Sequence, residues 1–156
     1  MQRTLTAAGA GLALVAALVL LWRGSPPHAP RVTASWTRTP GVLNPEVSQE
    51  TIGRTICVTG WTRTIRPPTT FTSALKLEQL REYELGGDPS DYQEDHLVSL
   101  ELGGHPTDRR NLWPEPRPRA EQVDRVENQL HEQICSGELT LAEAQRRISE
   151  IKHRSG

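Results

Sequence analysis

Several motifs that mark common enzyme classes are missing from this sequence. It contains no His-Glu-x-x-His pair for zinc, no Gly-x-Ser-x-Gly elbow for a serine nucleophile, and no glycine-rich loop of the Walker or dinucleotide-binding type. Its two cysteines lie far apart in the chain, so they do not form a closely spaced pair of metal-binding thiolates. These absences argue against zinc hydrolases, serine or cysteine nucleophiles and nucleotide-binding enzymes.

An excess of basic charge is also missing. Three of the 18 basic residues precede Ser35, so the remainder of the chain carries 15 basic and 19 acidic residues, a net charge of −4. This balance argues against passive binding to a polyanion. If the protein binds nucleic acid, a local basic patch or a bound cation has to supply the attraction.

The start of the chain contains a long apolar run. After Arg3, the 18 residues from Leu5 to Trp22 carry no charge and have no polar helical face. A Pro-rich segment over 23–34 follows. This order predicts a signal peptide or signal-anchor helix over 1–22, a linker over 23–34 and an exported domain over 35–156. The protein is then secreted, or membrane-anchored and facing the periplasm or the outside.

The two cysteines, Cys57 and Cys135, both fall in the segment predicted to be exported. An oxidising compartment favours a single disulfide between them. Closing a loop of nearly 80 residues stabilises the fold by about 4 kcal/mol in the chain-entropy model. The alternative is two buried thiols that do not pair.

Hydrophobic periodicity predicts a small α+β domain with one hairpin. The predicted elements are a strand over 54–61, a helix over 73–83, a strand over 92–102 that enters a hairpin, a helix over 120–135 and a last helix over 140–152.

The segment over 94–114, EDHLVSLELGGHPTDRRNLWP, contains the candidate catalytic and metal-binding residues. Asp95 offers a carboxylate for a hard divalent cation, and the neighbouring His96 can take a proton from water near neutral pH. The Gly103-Gly104 turn follows, and Asn111 can brace the loop through its amide. Taken alone, an adjacent Asp and His form a surface hydrogen-bonded pair more often than a catalytic site.

In residue type and order, this segment resembles the HNH, or His-Me finger (ββα-metal), nucleases over roughly residues 90–131. The resemblance implies a hairpin-plus-helix core in which Asp95 binds a divalent metal ion, Mg²⁺ first. It also implies that His96 activates the water that attacks a phosphodiester, while Asn111 supports the loop that carries His96.

The resemblance also calls for a last metal ligand on the helix after the hairpin. The candidates are Asp124, Glu127, Asn128 and His131, of which Asn128 is preferred, with His131 and Asp124 as alternatives. Asp124 and Asn128 are four residues apart and share a helical face. The alternative for each of these candidates is an ordinary solvated residue on the surface of the helix.

Arginines bracket the site and suggest a surface for nucleic acid. Arg109 and Arg110 precede Asn111, and Arg117 follows it. Guanidinium groups suit bidentate contacts with phosphate. A solvated loop that keeps the protein soluble explains the same residues equally well.

Two functions therefore remain open. The first is an exported, metal-dependent endonuclease that hydrolyses phosphodiester bonds in DNA or RNA. The second is a secreted or membrane-anchored envelope domain that keeps the fold without the chemistry and serves as a binding or structural module.

Overall fold

The computed structural model describes residues 32–154. In chain order its elements are helices α1 (Trp61–Ile65) and α2 (Thr69–Glu82), strands β1 (Tyr92–His96) and β2 (Leu112–Pro116), and helices α3 (Arg117–Ser136) and α4 (Leu141–Arg154). The α+β class, with a hairpin followed by a helix and a further C-terminal helix, is confirmed.

The two strands form an antiparallel hairpin that leads directly into α3. Tyr92 pairs with Pro116 and His96 pairs with Leu112, so the connection over 97–111 is a wide loop. Strand β1 ends at His96, earlier than predicted, because the chain tightens into a 3₁₀ turn over Leu100–Leu102. The wide loop places His96 at the open end of the hairpin.

Helices α3 and α4 pack against each other and against the hairpin loop. Their apolar side chains meet those of the loop in one buried cluster, which includes Val98, Leu102, Val123, Leu130, Ile134, Ala144 and Ile148. Helix α3 ends where Gly137 adopts a left-handed conformation and its N–H bonds back to the helix, as helix ends often do. This packing holds α3 across the hairpin.

The predicted strand over 54–61 is wrong. The chain forms a 3₁₀ turn over Ile52–Arg54, further turns, and then helix α1. The N–H groups of Thr55 and Cys57 both bond to the carbonyl of Ile52, and the Thr55 hydroxyl bonds to the carbonyl of Thr51. Local hydrogen bonds therefore satisfy this backbone in place of a neighbouring strand.

The described domain includes the end of the segment assigned to the linker. Val32 and Ala34 are buried beside Leu97 and Trp113, and the Ala34 N–H donates to the carbonyl of Lys152. The predicted segment over 1–22 and the linker residues up to 31 lie outside the described residues. Within 32–154, no helix is both long enough and apolar enough to cross a membrane.

Cys57 and Cys135 form the predicted disulfide, with their Cα atoms 5.6 Å apart. The bond joins the turns before α1 to the last turn of α3. A disulfide is consistent with an extracellular or otherwise oxidising compartment.

Candidate functional site

A cleft of about 290 Å³ opens between the hairpin, α3 and the segment around α1. Most of its lining is polar. The side chains that line it are Thr62, Arg66, Gln93, Asp95, His96, Ser99, Leu100, Glu101, Asp124, Glu127 and Asn128. Four of these are carboxylates, so the cleft carries an excess of negative charge.

The His96 imidazole is held by a single hydrogen bond. Its Nε2 lies 3.0 Å from the carbonyl oxygen of Pro106. Because a carbonyl only accepts, Nε2 carries the hydrogen and Nδ1 keeps a free lone pair. Burial lowers the pKa of His96, so the ring is neutral at neutral pH. A neutral imidazole that lines a cleft can take a proton from water there.

The Asp95 carboxylate is shared between the cleft and the interior. Its Oδ2 accepts a hydrogen bond from Lys152 Nζ at 2.5 Å, and its Oδ1 lies 3.4 Å from the amide nitrogen of Gln93, which also lines the cleft. Burial alone would raise the pKa of Asp95, but the Lys152 charge and the hydrogen bonds from Glu115 and Lys152 together outweigh burial and lower the pKa to about 2. The carboxylate is therefore ionised at neutral pH.

The helix residues proposed as the last metal ligand separate into two groups. Asp124 and Asn128 lie one turn apart on an exposed part of α3 and both line the cleft. His131 lies elsewhere, because its Nε2 donates to the carbonyl of Ile56. The structure thus brings Asp95 together with Asp124 and Asn128 and leaves His131 out.

His131 lies instead beside the disulfide. One potential ligand atom from each of Cys57, His131 and Cys135 falls within 4.8 Å of the others, a spacing that a metal ion could bridge. Thiolates, however, are the form of cysteine that binds metals, and both sulfurs are bonded to each other here. The oxidised protein therefore offers no thiolate at this position.

The Asn111 side chain connects the two ends of the hairpin loop. Its Oδ1 accepts from the Val98 N–H, and its Nδ2 donates to the carbonyls of Val98 and His105, each at 3.0 Å. The residue is fully buried. Asn111 therefore braces the loop that carries Pro106, the partner of His96, and does not itself reach the cleft.

The three arginines predicted to bind substrate do not line the cleft. Arg109 pairs with Glu82, Arg110 pairs with Asp108, and Arg117 donates to the carbonyl of Ser90. Among the residues that line the cleft, Arg66 supplies a guanidinium group, and it lies just after α1.

Sequence reasoning missed two charged residues behind the cleft, Lys152 and Glu115, and it did not predict that Glu127, which lines the cleft, pairs with Lys152 at 2.7 Å. Burial raises the pKa of Glu115 to about 8 and that of Glu127 to about 7. The pKa of Lys152 is raised because the combined attraction of Asp95, Glu127 and Glu115 outweighs its burial. Lys152 could have been found, because it occupies a buried position in the apolar stripe of α4.

Glu94 faces away from the ion pairs around Lys152. Both of its carboxylate oxygens are buried and have no hydrogen-bond partner in the part of the chain that the structure describes. Burial, with the charge of Asp95, raises the pKa of Glu94 from 4.5 to about 8. The folded state thus holds a proton that the unfolded state releases above pH 4.5. The stabilisation that comes from protonated Glu94 is fully present below pH 4.5 and is lost as the pH rises through 8.

Glu94→Gln is expected to remove this pH dependence. In EDTA, the variant should be about 1–3 kcal/mol more stable than the unsubstituted protein at pH 9 and nearly equal to it at pH 4.5. Denaturant unfolding at a series of pH values measures the difference. Glu132→Gln, on the exposed face of α3, is the matched control. Parallel pH profiles for Glu94→Gln and the unsubstituted protein would contradict the assignment.

No protein family, curated protein or solved structure matches this chain. The function of the cleft therefore has to be inferred from its own geometry.

Proposed function

We propose that this protein is an exported, metal-dependent endonuclease of the HNH type that hydrolyses phosphodiester bonds of DNA or RNA. The observation that supports the proposal most directly is that His96 is neutral and held in one tautomer. Its Nε2–H is fixed by the Pro106 carbonyl, and its neutral ring lines an acidic cleft. This is the arrangement a general base needs in order to deprotonate an attacking water.

The donor atoms around the cleft fit a divalent cation, Mg²⁺ first. Asp95, Asp124 and Asn128 supply carboxylate and amide oxygens, the ligands that hard cations prefer. When bound, such an ion would stabilise negative charge on the scissile phosphate and on the leaving oxygen. The carboxylates would otherwise repel a phosphate, so the acidity of the cleft is itself an argument for metal dependence.

The remaining roles follow from position. Arg66, also on the cleft, is placed to contact a phosphate, whereas Arg109, Arg110 and Arg117 could contact nucleic acid only outside it. Asn111 acts by holding the loop that positions His96. The uncharged run over 5–22 and the disulfide support an exported protein, secreted or anchored to the membrane through that run.

One observation favours the second function, an envelope module without activity. Lys152 already neutralises one oxygen of Asp95, which weakens the attraction of that carboxylate for a metal ion. A folded, oxidised protein that cuts neither DNA nor RNA with any divalent metal would support this second function and contradict the first.

The test is cleavage of plasmid DNA and of RNA by the oxidised protein in Mg²⁺, in Mn²⁺ and in EDTA. Cleavage is expected with metal and not in EDTA. Asn128→Ala is expected to raise the Mg²⁺ concentration for half-maximal cleavage by about tenfold or more, because it removes an oxygen ligand. Gln129→Ala, at the next exposed position of α3, should leave that concentration unchanged. Equal effects of the two variants would refute the role of Asn128.

A further inference from the structure

The ammonium group of Lys152 is surrounded by oxygen atoms. Its Nζ lies 2.5 Å from Asp95 Oδ2, 2.6 Å from the carbonyl oxygen of His96 and 2.7 Å from Glu127 Oε1. Glu115 Oε2 is fourth, at 3.4 Å. The side chain is fully buried, so these oxygens take the place of water around the charge.

This arrangement has the composition of a hard-cation site. Carboxylate and backbone carbonyl oxygens are the ligands that Ca²⁺ prefers, about six to eight of them at about 2.3–2.6 Å. This cluster supplies four such oxygens. The three shortest distances from Nζ are close to that range. A calcium ion at the position of Nζ would need small shifts of these three oxygens, a larger shift of Glu115, and water to complete its coordination.

The charges around Lys152 favour a divalent ion in the same way. Arg119 binds the other oxygen of Glu115 at 2.9 Å. Three carboxylates and the Arg119 guanidinium surround the position of Nζ, a net charge of −2 when all three carboxylates are deprotonated, as metal binding requires. A divalent ion in place of the ammonium would make the cluster neutral, which lowers the cost of burying it.

The backbone on both sides of the cluster holds Lys152 in place. Its carbonyl accepts from the Ala34 N–H, and the carbonyl of Ile151 accepts from Arg119 Nη2 at 2.8 Å. The imidazole of the next residue, His153, bonds to the carbonyl of Thr39 at 3.0 Å. The last turn of α4 is thus anchored to two other segments, which fixes the backbone position from which Lys152 enters the cluster.

We propose that Lys152 is a built-in cation that occupies a divalent-metal site behind Asp95. The proposal rests on the proposed function, in which the cleft side of Asp95 takes up an exchangeable metal ion. Lys152 then acts as a positioning residue: it fixes Asp95 Oδ2 and the His96 backbone whether or not metal is present. The protein needs one exchangeable ion, and a second is replaced by its own ammonium group.

The test counts bound Ca²⁺ per chain by isothermal titration calorimetry in three forms of the full-length oxidised protein. Lys152→Ala removes the ammonium and leaves room for an ion. Lys152→Met also removes the charge but keeps most of the volume. We expect Lys152→Ala to bind one more Ca²⁺ than the unsubstituted protein, and Lys152→Met to bind no additional ion. Ca²⁺ should also raise the melting temperature of Lys152→Ala more than that of the other two forms.

Failure of this inference is distinguishable from failure of the proposed function. If the cleft binds no metal, the unsubstituted protein takes up no ion, yet Lys152→Ala still takes up one. If Lys152→Ala is unfolded in EDTA, refolding on addition of Ca²⁺, but not of Na⁺ at equal ionic strength, supports the inference. Lys152→Ala that takes up no additional ion, or stays unfolded in Ca²⁺, overturns it.

Discussion

His96→Ala is expected to reduce metal-dependent cleavage by about 10²- to 10⁴-fold, the range that a general base contributes. The loss should appear in the rate at saturating substrate, because His96 is assigned to the chemical step and not to the phosphate contacts. The fold should persist, because the imidazole makes one hydrogen bond, to Pro106. Initial cleavage rates of plasmid DNA and of RNA in Mg²⁺ measure the effect.

His131→Ala is the matched control for this experiment. His131 also donates to a backbone carbonyl, that of Ile56, but it lies beside the disulfide and does not line the cleft. Its substitution should leave the cleavage rate nearly unchanged. A His96→Ala protein that cuts as fast as the unsubstituted one would rule out His96 as the base. Equal losses for both histidines would indicate a general effect on the fold.

Gly104→Ala is expected to destabilise the domain by about 4 kcal/mol or more, because a side chain at this position collides with the backbone. An added Cβ would lie 1.7 Å from the carbonyl oxygen of Val98 and 2.7 Å from Asn111 Nδ2. The chain would have to shift, which breaks the hydrogen bonds between Asn111 and the loop and leaves buried polar groups unpaired. Denaturant unfolding of the oxidised protein measures the loss.

Gly53→Ala provides the comparison for Gly104→Ala. Gly53 lies in the 3₁₀ turn over Ile52–Arg54, and an added Cβ there meets nothing within 4 Å. Its effect should stay within about 0.5 kcal/mol. If Gly104→Ala were as stable as Gly53→Ala, the close approach of residue 104 to Val98 would not be a feature of the native fold.

Local signals predicted much of the fold. The hydrophobic periodicity over 120–135 and over 140–152 identified two helices that the structure contains. The segment over 54–61 failed because its β-branched residues indicate a strand only where a neighbouring strand can pair with it. In the fold, Thr55 and Cys57 bond locally instead.

The candidate site was likewise predicted in part from local sequence and in part required the fold. Asp95 and His96 are adjacent in sequence and end one strand, and the spacing of Asp124 and Asn128 already places them on one face of a helix. Which of the candidate helix residues meets Asp95 depends on how α3 crosses the hairpin, so the exclusion of His131 required the fold.

The sequence by itself determined the α+β class and the short segment that carries Asp95, His96 and Asn111, because both depend on residue type and near-neighbour spacing. The export signal favoured a disulfide, and the fold brings Cys57 and Cys135 together. Only the tertiary structure decided what surrounds Asp95. Lys152 comes from 57 residues further along the chain, and Glu115 and Glu127 come from two other elements. These side chains are buried together because a strand and two helices converge there, and no local pattern specifies that convergence.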